Sequence, residues 1–242
     1  MKMARFNREE AQSFFNNLRQ AYTIIAPVEK PGKGSFSDTN LLAYAEVNSF
    51  DEIEFFKKTS FSAKSVLFPI RETMFTFQDN KIEEVNEGIN PTIIFLRSCD
   101  IHAIGVMDAH FLKNSGFEDP YYKRRRQKVK FFLLECEKSF ENCFCVSFGT
   151  NKTDNYSAFI RKIDVGYEVQ VKDEELKEYF PTTEMTIRGP QFMEQDTPLV
   201  KIPEDIDVSV FDDDIWKEYT LRCIACGRCT ISCPTCTCFS VH

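Results

Sequence analysis

Residues 92–104, TIIFLRSCDIHAI, and residues 129–136, VKFFLLEC, decide the fold. TIIFL is an unbroken apolar run, the pattern of a strand buried on both faces. After it, Ile101, Ile104, Met107 and Phe111 recur at helical spacing, and residues 121–127 read as a further short helix. Val129–Leu134 is a second buried strand. Strand, helix, strand at this spacing is a βαβ unit, so the two strands should lie parallel in one sheet. Each is closely followed by a cysteine, Cys99 or Cys136. The carboxyl edge of an open α/β sheet is where ligands bind.

Working outward, Ala11, Phe14, Phe15, Leu18 and Tyr22 predict an amphipathic N-terminal helix, with Asn7 and Glu10 as its capping pair. A strand over Thr23–Ala26 is expected to stop at Pro27. Residues 31–38 read as a turn-rich loop, with strands near Leu41–Val47 and Thr73–Phe77. Residues 156–172 read as a hairpin about Val165-Gly166. The expected fold is thus a mixed α/β sheet with a βαβ unit over residues 1–180. Residues 181–210 hold Pro181, Pro190, Pro198 and Pro203 with little periodicity, the signature of a linker or an extended wrap. A short helix over Asp212–Arg222 then leads into a small C-terminal segment, residues 211–242.

The 242 residues are 43% hydrophobic and 28% charged, a globular composition, and a net charge of −7 argues against nucleic acid as a main partner. No run of 18 apolar residues exists, so no membrane span is expected. MKMARFNREE lacks the apolar core of a secretory signal, which points to the cytoplasm. Thiols stay reduced there, so ten cysteines suggest metal or redox chemistry rather than disulfides.

Six of those cysteines fall in the last 20 residues. Cys223, Cys226, Cys229 and Cys233, followed by Pro234, make the C-x2-C-x2-C-x3-C-P run of bacterial ferredoxins. Two-residue spacers let a tight loop bring successive thiolates to the corners of a [4Fe–4S] cube, and Gly227 lets the backbone curl close enough to bond to sulfur. Zinc is the alternative, although zinc sites usually pair two C-x2-C units across a longer gap. The fourth cysteine of such a run ligates the other cluster of a two-cluster ferredoxin. No second run follows before His242, so the expectation is a truncated two-cluster segment or a single cluster. The fourth ligand is then Cys233, Cys236 or Cys238.

Cys99, Cys136, Cys143 and Cys145 form the second set. The first two could be ordinary buried thiols, but a C-x-C pair in a polar loop has no packing reason to exist. If the βαβ unit forms, all four meet at one sheet edge. The site expected there is a second [4Fe–4S] cluster, with zinc or a purely structural role as alternatives.

RSCDIHAI (97–104), LLECEKSFENCFCVSFGTNKTD (133–154) and RCIACGRCTISCPTCTCFSV (222–241) resemble the A subunit of anaerobic sulfite reductase. More distantly they are similar to the β subunit of the soluble sulfhydrogenases. GSFSDTN (34–40) and FPIRETMFTF (68–77) extend the likeness over most of the chain. The resemblance implies a non-catalytic iron–sulfur electron-transfer subunit. It would accept electrons from an NADH-oxidising flavoprotein subunit and pass them to a sirohaem subunit that reduces sulfite. The family carries a second ferredoxin motif further downstream, which this sequence lacks. A β-type subunit of a hydrogenase is the alternative, and a structural zinc protein is the alternative of another class.

Other features carry less. The basic run Lys123–Lys130 reads as a solvated helix face or as a docking patch. His102, beside Cys99, reads as a group tuning a cluster or as a capping histidine, and His110 as a surface residue. Gly32-Lys33-Gly34-Ser35 lacks the full phosphate-loop pattern, and no G-x-G-x-x-G follows a strand.

Overall fold

The computed structural model describes residues 2–36, 38–85, 90–114, 116–180, 185–195 and 199–238. Its strands are β1 (Lys2–Phe6), β2 (Thr23–Lys30), β3 (Leu41–Glu46), β4 (Phe75–Gln78), β5 (Lys81–Glu84), β6 (Thr92–Leu96), β7 (Val129–Leu134), β8 (Ala158–Ile163) and β9 (Gly166–Val171). Its α-helices are α1 (Arg8–Arg19), α2 (Ser98–Ala109), α3 (Pro120–Arg126), α4 (Ile215–Arg222) and α5 (Arg228–Ser232).

Seven strands form one mixed sheet in the order β1-β9-β8-β7-β6-β2-β3. β6 and β7 pair in parallel from Thr92 opposite Val129 to Leu96 opposite Leu133, as the βαβ reading requires. β2 joins β6 in parallel, and β8 joins β7 likewise. The apolar runs are explained by cover on both faces. Ile93 and Phe95 of β6 face a core with Phe14, Phe15 and Leu18 of α1, while Ile94 and Leu96 face one with Ile101, Ile104 and Met107 of α2.

The capping pair holds α1 as expected: Glu10 N donates to Asn7 Oδ1 and Asn7 N to Glu10 Oε2, each at 2.9 Å. The helix ends at Arg19, and Tyr22 packs against the core from the following turn. The hairpin about Val165-Gly166 is β8–β9.

Several expectations are corrected. β2 runs through Pro27 instead of stopping there. Pro27 O accepts from Glu54 N at 2.8 Å, so this edge of the residue faces away from β3, beyond the end of the β6 pairing. A missing N–H costs no ladder bond on that side. β1 has no counterpart among the expected strands: KMARF buries only Ala4 and Phe6, and it pairs antiparallel with β9 at the sheet edge. The strand expected over Thr73–Phe77 is β4, which pairs only with β5 in an exposed ribbon.

Pro181 and Pro198 of the expected linker lie outside the described residues, as do Ser37 and residues 239–242. Residues 185–195 run back along the sheet, where Ile187 and Met193 are buried and Phe192 forms a parallel bridge to Cys136. The C-terminal stretch is two short helices, α4 and α5, joined by a loop. Its ferredoxin likeness therefore rests on cysteine spacing rather than on fold. No helix among the described residues is long and apolar enough to cross a membrane.

Five of the six basic residues of the run form ion pairs within the chain. Lys123, Arg124, Arg125 and Arg126 pair with Glu118, Glu84, Glu72 and Asp108, and Lys130 pairs with Asp173 and Glu175.

Candidate functional site

The carboxyl ends of β6 and β7 deliver the first cysteine group. Cys99 sits in the first turn of α2, and Cys136 follows β7 by two residues. The chain then turns through Asn142, in the left-handed region at φ 62°, and returns with Cys143 and Cys145 half-buried. Thr150 N donates to Cys145 O at 2.8 Å and closes this loop.

The thiols feel one another. Crowding by protein pushes the Cys99 thiol up although its surface is accessible, with Asp100, Cys145 and Cys136 adding to the effect and Arg97 opposing it. Burial also raises Cys136, against the charge and N–H groups of Arg97, and Cys143 raises it further. The structure thus brings Cys99, Cys136, Cys143 and Cys145 into one electrostatic neighbourhood at the sheet edge. Among the described residues, no three Cys, His, Asp or Glu side chains are set as ligands of a single ion.

Arg97 is the residue that sequence reading missed. Only 5% exposed, it is the first residue after β6. Its Nη2 donates to Phe55 O at 3.1 Å and Lys57 O at 2.9 Å, and its guanidinium lies 4.9 Å from the centre of the Phe140 ring. Its Nε–H and the hydroxyl of Ser98 are both buried and have no hydrogen-bond partner among the described residues. The available signal was a charged residue closing an otherwise apolar strand. Asp100 bonds the Arg97 N–H at 3.4 Å and accepts from Tyr44 Oη at 3.2 Å; burial raises its carboxyl despite Arg97. His102 donates from Nε2 to Lys152 O at 2.8 Å, tying α2 to the loop beyond Cys145. His110 caps the end of α2.

The second group is local. Cys223 ends α4, Cys226 lies in the connecting loop, Cys229 lies in α5, and Cys233 ends α5. All four are exposed, as is Cys238, while Cys236 is half-buried. Ala225 and Gly227 take left-handed backbone at φ 54° and 68°, which curls the loop back on itself. Ala225 N donates to Cys223 Sγ at 3.4 Å, an N–H to sulfur bond. Burial pushes the Cys233 thiol up, but hydrogen bonds from Thr235 and Cys236 and the charge of Lys64 outweigh it, so the thiol lies below its usual range.

A mixed α/β sheet with one thiol group at its carboxyl edge and another on an exposed C-terminal loop defines a cysteine-centred class of protein. Within it, the chain belongs to the family of the sulfhydrogenase beta subunits. It is 30% identical over 260 aligned residues to Sulfhydrogenase 2 subunit beta of Pyrococcus furiosus, spanning 100% of this chain and 74% of the relative. No protein-family model and no solved structure matches the chain. The similarity therefore lies on the sulfhydrogenase side of the resemblance, not on the sulfite-reductase side that the motifs favoured.

Proposed function

We propose that the chain is an iron–sulfur electron-transfer subunit of a hydrogenase-type complex. Cys99, Cys136, Cys143 and Cys145 hold one [4Fe–4S] cluster, and Cys223, Cys226, Cys229 and Cys233 hold a second. What carries the reading is the C-x2-C-x2-C-x3-C-P run in a chain of the sulfhydrogenase beta family, supported by the mutual electrostatic effect of Cys99, Cys136, Cys143 and Cys145.

The residues present fit such groups. Clusters held by four thiolates supply one-electron transfer, at a potential set by burial, charge and hydrogen bonds to sulfur. At the sheet edge, Arg97 Nε and Ser98 Oγ are buried donors with no partner among the described residues. Leaving such groups unsatisfied costs about 1–3 kcal/mol each, so an anionic sulfur-rich partner suits the place. Arg97 favours the thiolate forms of Cys99 and Cys136 through its charge. In the C-terminal loop, Ala225 N–H already donates to a cysteine sulfur.

A subunit of this kind relays electrons between partner subunits, one of them a flavoprotein. The test is anaerobic purification from the native host. The reading expects a brown chain that bleaches with dithionite and co-purifies with hydrogen-dependent dye reduction. Co-purification with a sirohaem chromophore and sulfite reduction instead would restore the sulfite-reductase reading. A colourless chain with stoichiometric zinc would remove both.

A further inference from the structure

Lys64 lies far from the cysteines in sequence and belongs to neither group. It is carried by a 3-10 turn, Ala63–Val66, capped by Ser62 Oγ, which accepts from Lys64 N at 3.1 Å. Ala63 and Leu67 are 2% and 1% exposed and join the core that holds Ile94, Leu96, Ile101 and Ile104. Ser60 N donates to Leu42 O at 2.8 Å, fixing the approach to the turn on β3. The backbone of Lys64 is therefore anchored to the same packed layer as α2, whose first turn bears Cys99.

Its ammonium reaches the other cysteine group. Lys64 Nζ donates to Thr230 O at 2.6 Å, Cys233 O at 2.8 Å and Cys236 O at 2.9 Å. That satisfies all three N–H donors of the ammonium. The acceptors are carbonyls around the end of α5, where a helix leaves its last C=O groups unpaired and where cations are favoured. Nearby, the Arg228 guanidinium lies 5.6 Å from the Phe61 ring centre, and Ser232 Oγ donates to Ser60 O at 3.5 Å. The side chains of α4 and α5 are otherwise unburied. Arg228 Nη1 also donates to Ser35 Oγ at 3.4 Å.

We propose that Lys64 is the latch of the C-terminal cysteine loop: it seats the loop on the α/β domain and fixes a positive charge beside Cys233. It is a positioning residue for electron transfer, and this deepens the iron–sulfur reading on which it rests. Seating the loop sets the separation of the two thiol groups. A fixed cation beside a centre favours the form carrying the additional electron.

The test compares the full-length wild-type chain, purified anaerobically, with Lys64→Met. Amide hydrogen exchange is followed over residues 228–236 and over β6 and β7. Exchange over 228–236 should quicken by about tenfold while β6 and β7, which report an intact fold, stay unchanged. In the iron-loaded chain, half-reduction of the C-terminal centre should need an about threefold higher ratio of reduced to oxidised mediator. Equal exchange over 228–236, or an unmoved midpoint, overturns the latch. A faster-exchanging Lys64→Met alongside a wild type that binds no iron or sulfide would instead overturn the iron–sulfur reading and leave the seating role standing.

Discussion

The two cysteine groups are built in opposite ways. Cys99, Cys136, Cys143 and Cys145 are gathered from distant sequence by parallel strands, and they sit beside a buried arginine on a packed sheet. Cys223 to Cys233 are gathered by eleven consecutive residues of loop and helix with no buried side chain of their own. The first group depends on tertiary packing and the second on local backbone plus a few contacts from Lys64, Arg228 and Ser232. Mutations should therefore act differently in the two halves.

The largest contrast is in stability. Phe132, fully buried in β7, should cost about 3–5 kcal/mol when changed to Ala. Leu221, 89% exposed on α4, should change stability by less than about 0.5 kcal/mol. Urea unfolding of both variants checks this, and equal losses would mean that the C-terminal helices pack far more than their exposure shows.

Arg97→Ala comes next. It strips the Phe55 and Lys57 carbonyls of their donor, at an expected cost of about 2–4 kcal/mol. The same variant should raise the thiol pKa of Cys136 in the metal-free chain, measured by alkylation rate against pH, and leave Cys223 untouched. Slower alkylation of both cysteines alike would break the separation of the two groups.

A smaller effect lies in the charged cluster behind Cys136. Burial pushes Glu168 up, but Arg5 at 2.5 Å and Arg161 at 2.9 Å outweigh it and hold the carboxyl below its usual range. A carboxyl depressed in the folded state stabilises fully above its unfolded pKa of about 4.3, and loses that contribution as pH falls through the folded value. Glu168→Gln should lose about 1–3 kcal/mol at pH 7 and unfold with a shallower dependence on pH below 5. Unfolding midpoints across that range test it. The smallest effect belongs to the basic run: Lys123→Ala, which removes an exposed pair with Glu118, should cost about 0–1 kcal/mol.

The same contrast explains what could be read from sequence. TIIFL and VKFFLL announce β6 and β7 because strands covered on both faces must be apolar throughout. The C-terminal spacing announces its chemistry because the ligands are neighbours in the chain. β1 stayed hidden since an edge strand needs only alternate burial, and KMARF buries Ala4 and Phe6 alone. Pro27 misled because its place in β2 depends on which neighbour has ended. Arg97 and Lys64 act through carbonyls of Phe55, Lys57, Thr230, Cys233 and Cys236, partners that no local pattern connects.

The most direct measurement is iron and acid-labile sulfide per chain in wild type, Cys99→Ser and Cys223→Ser, all purified anaerobically. Two independent centres mean that each variant loses one cluster and retains the other. Iron and sulfide in Cys99→Ser equal to wild type would contradict the claim that the sheet-edge cysteines hold a centre of their own.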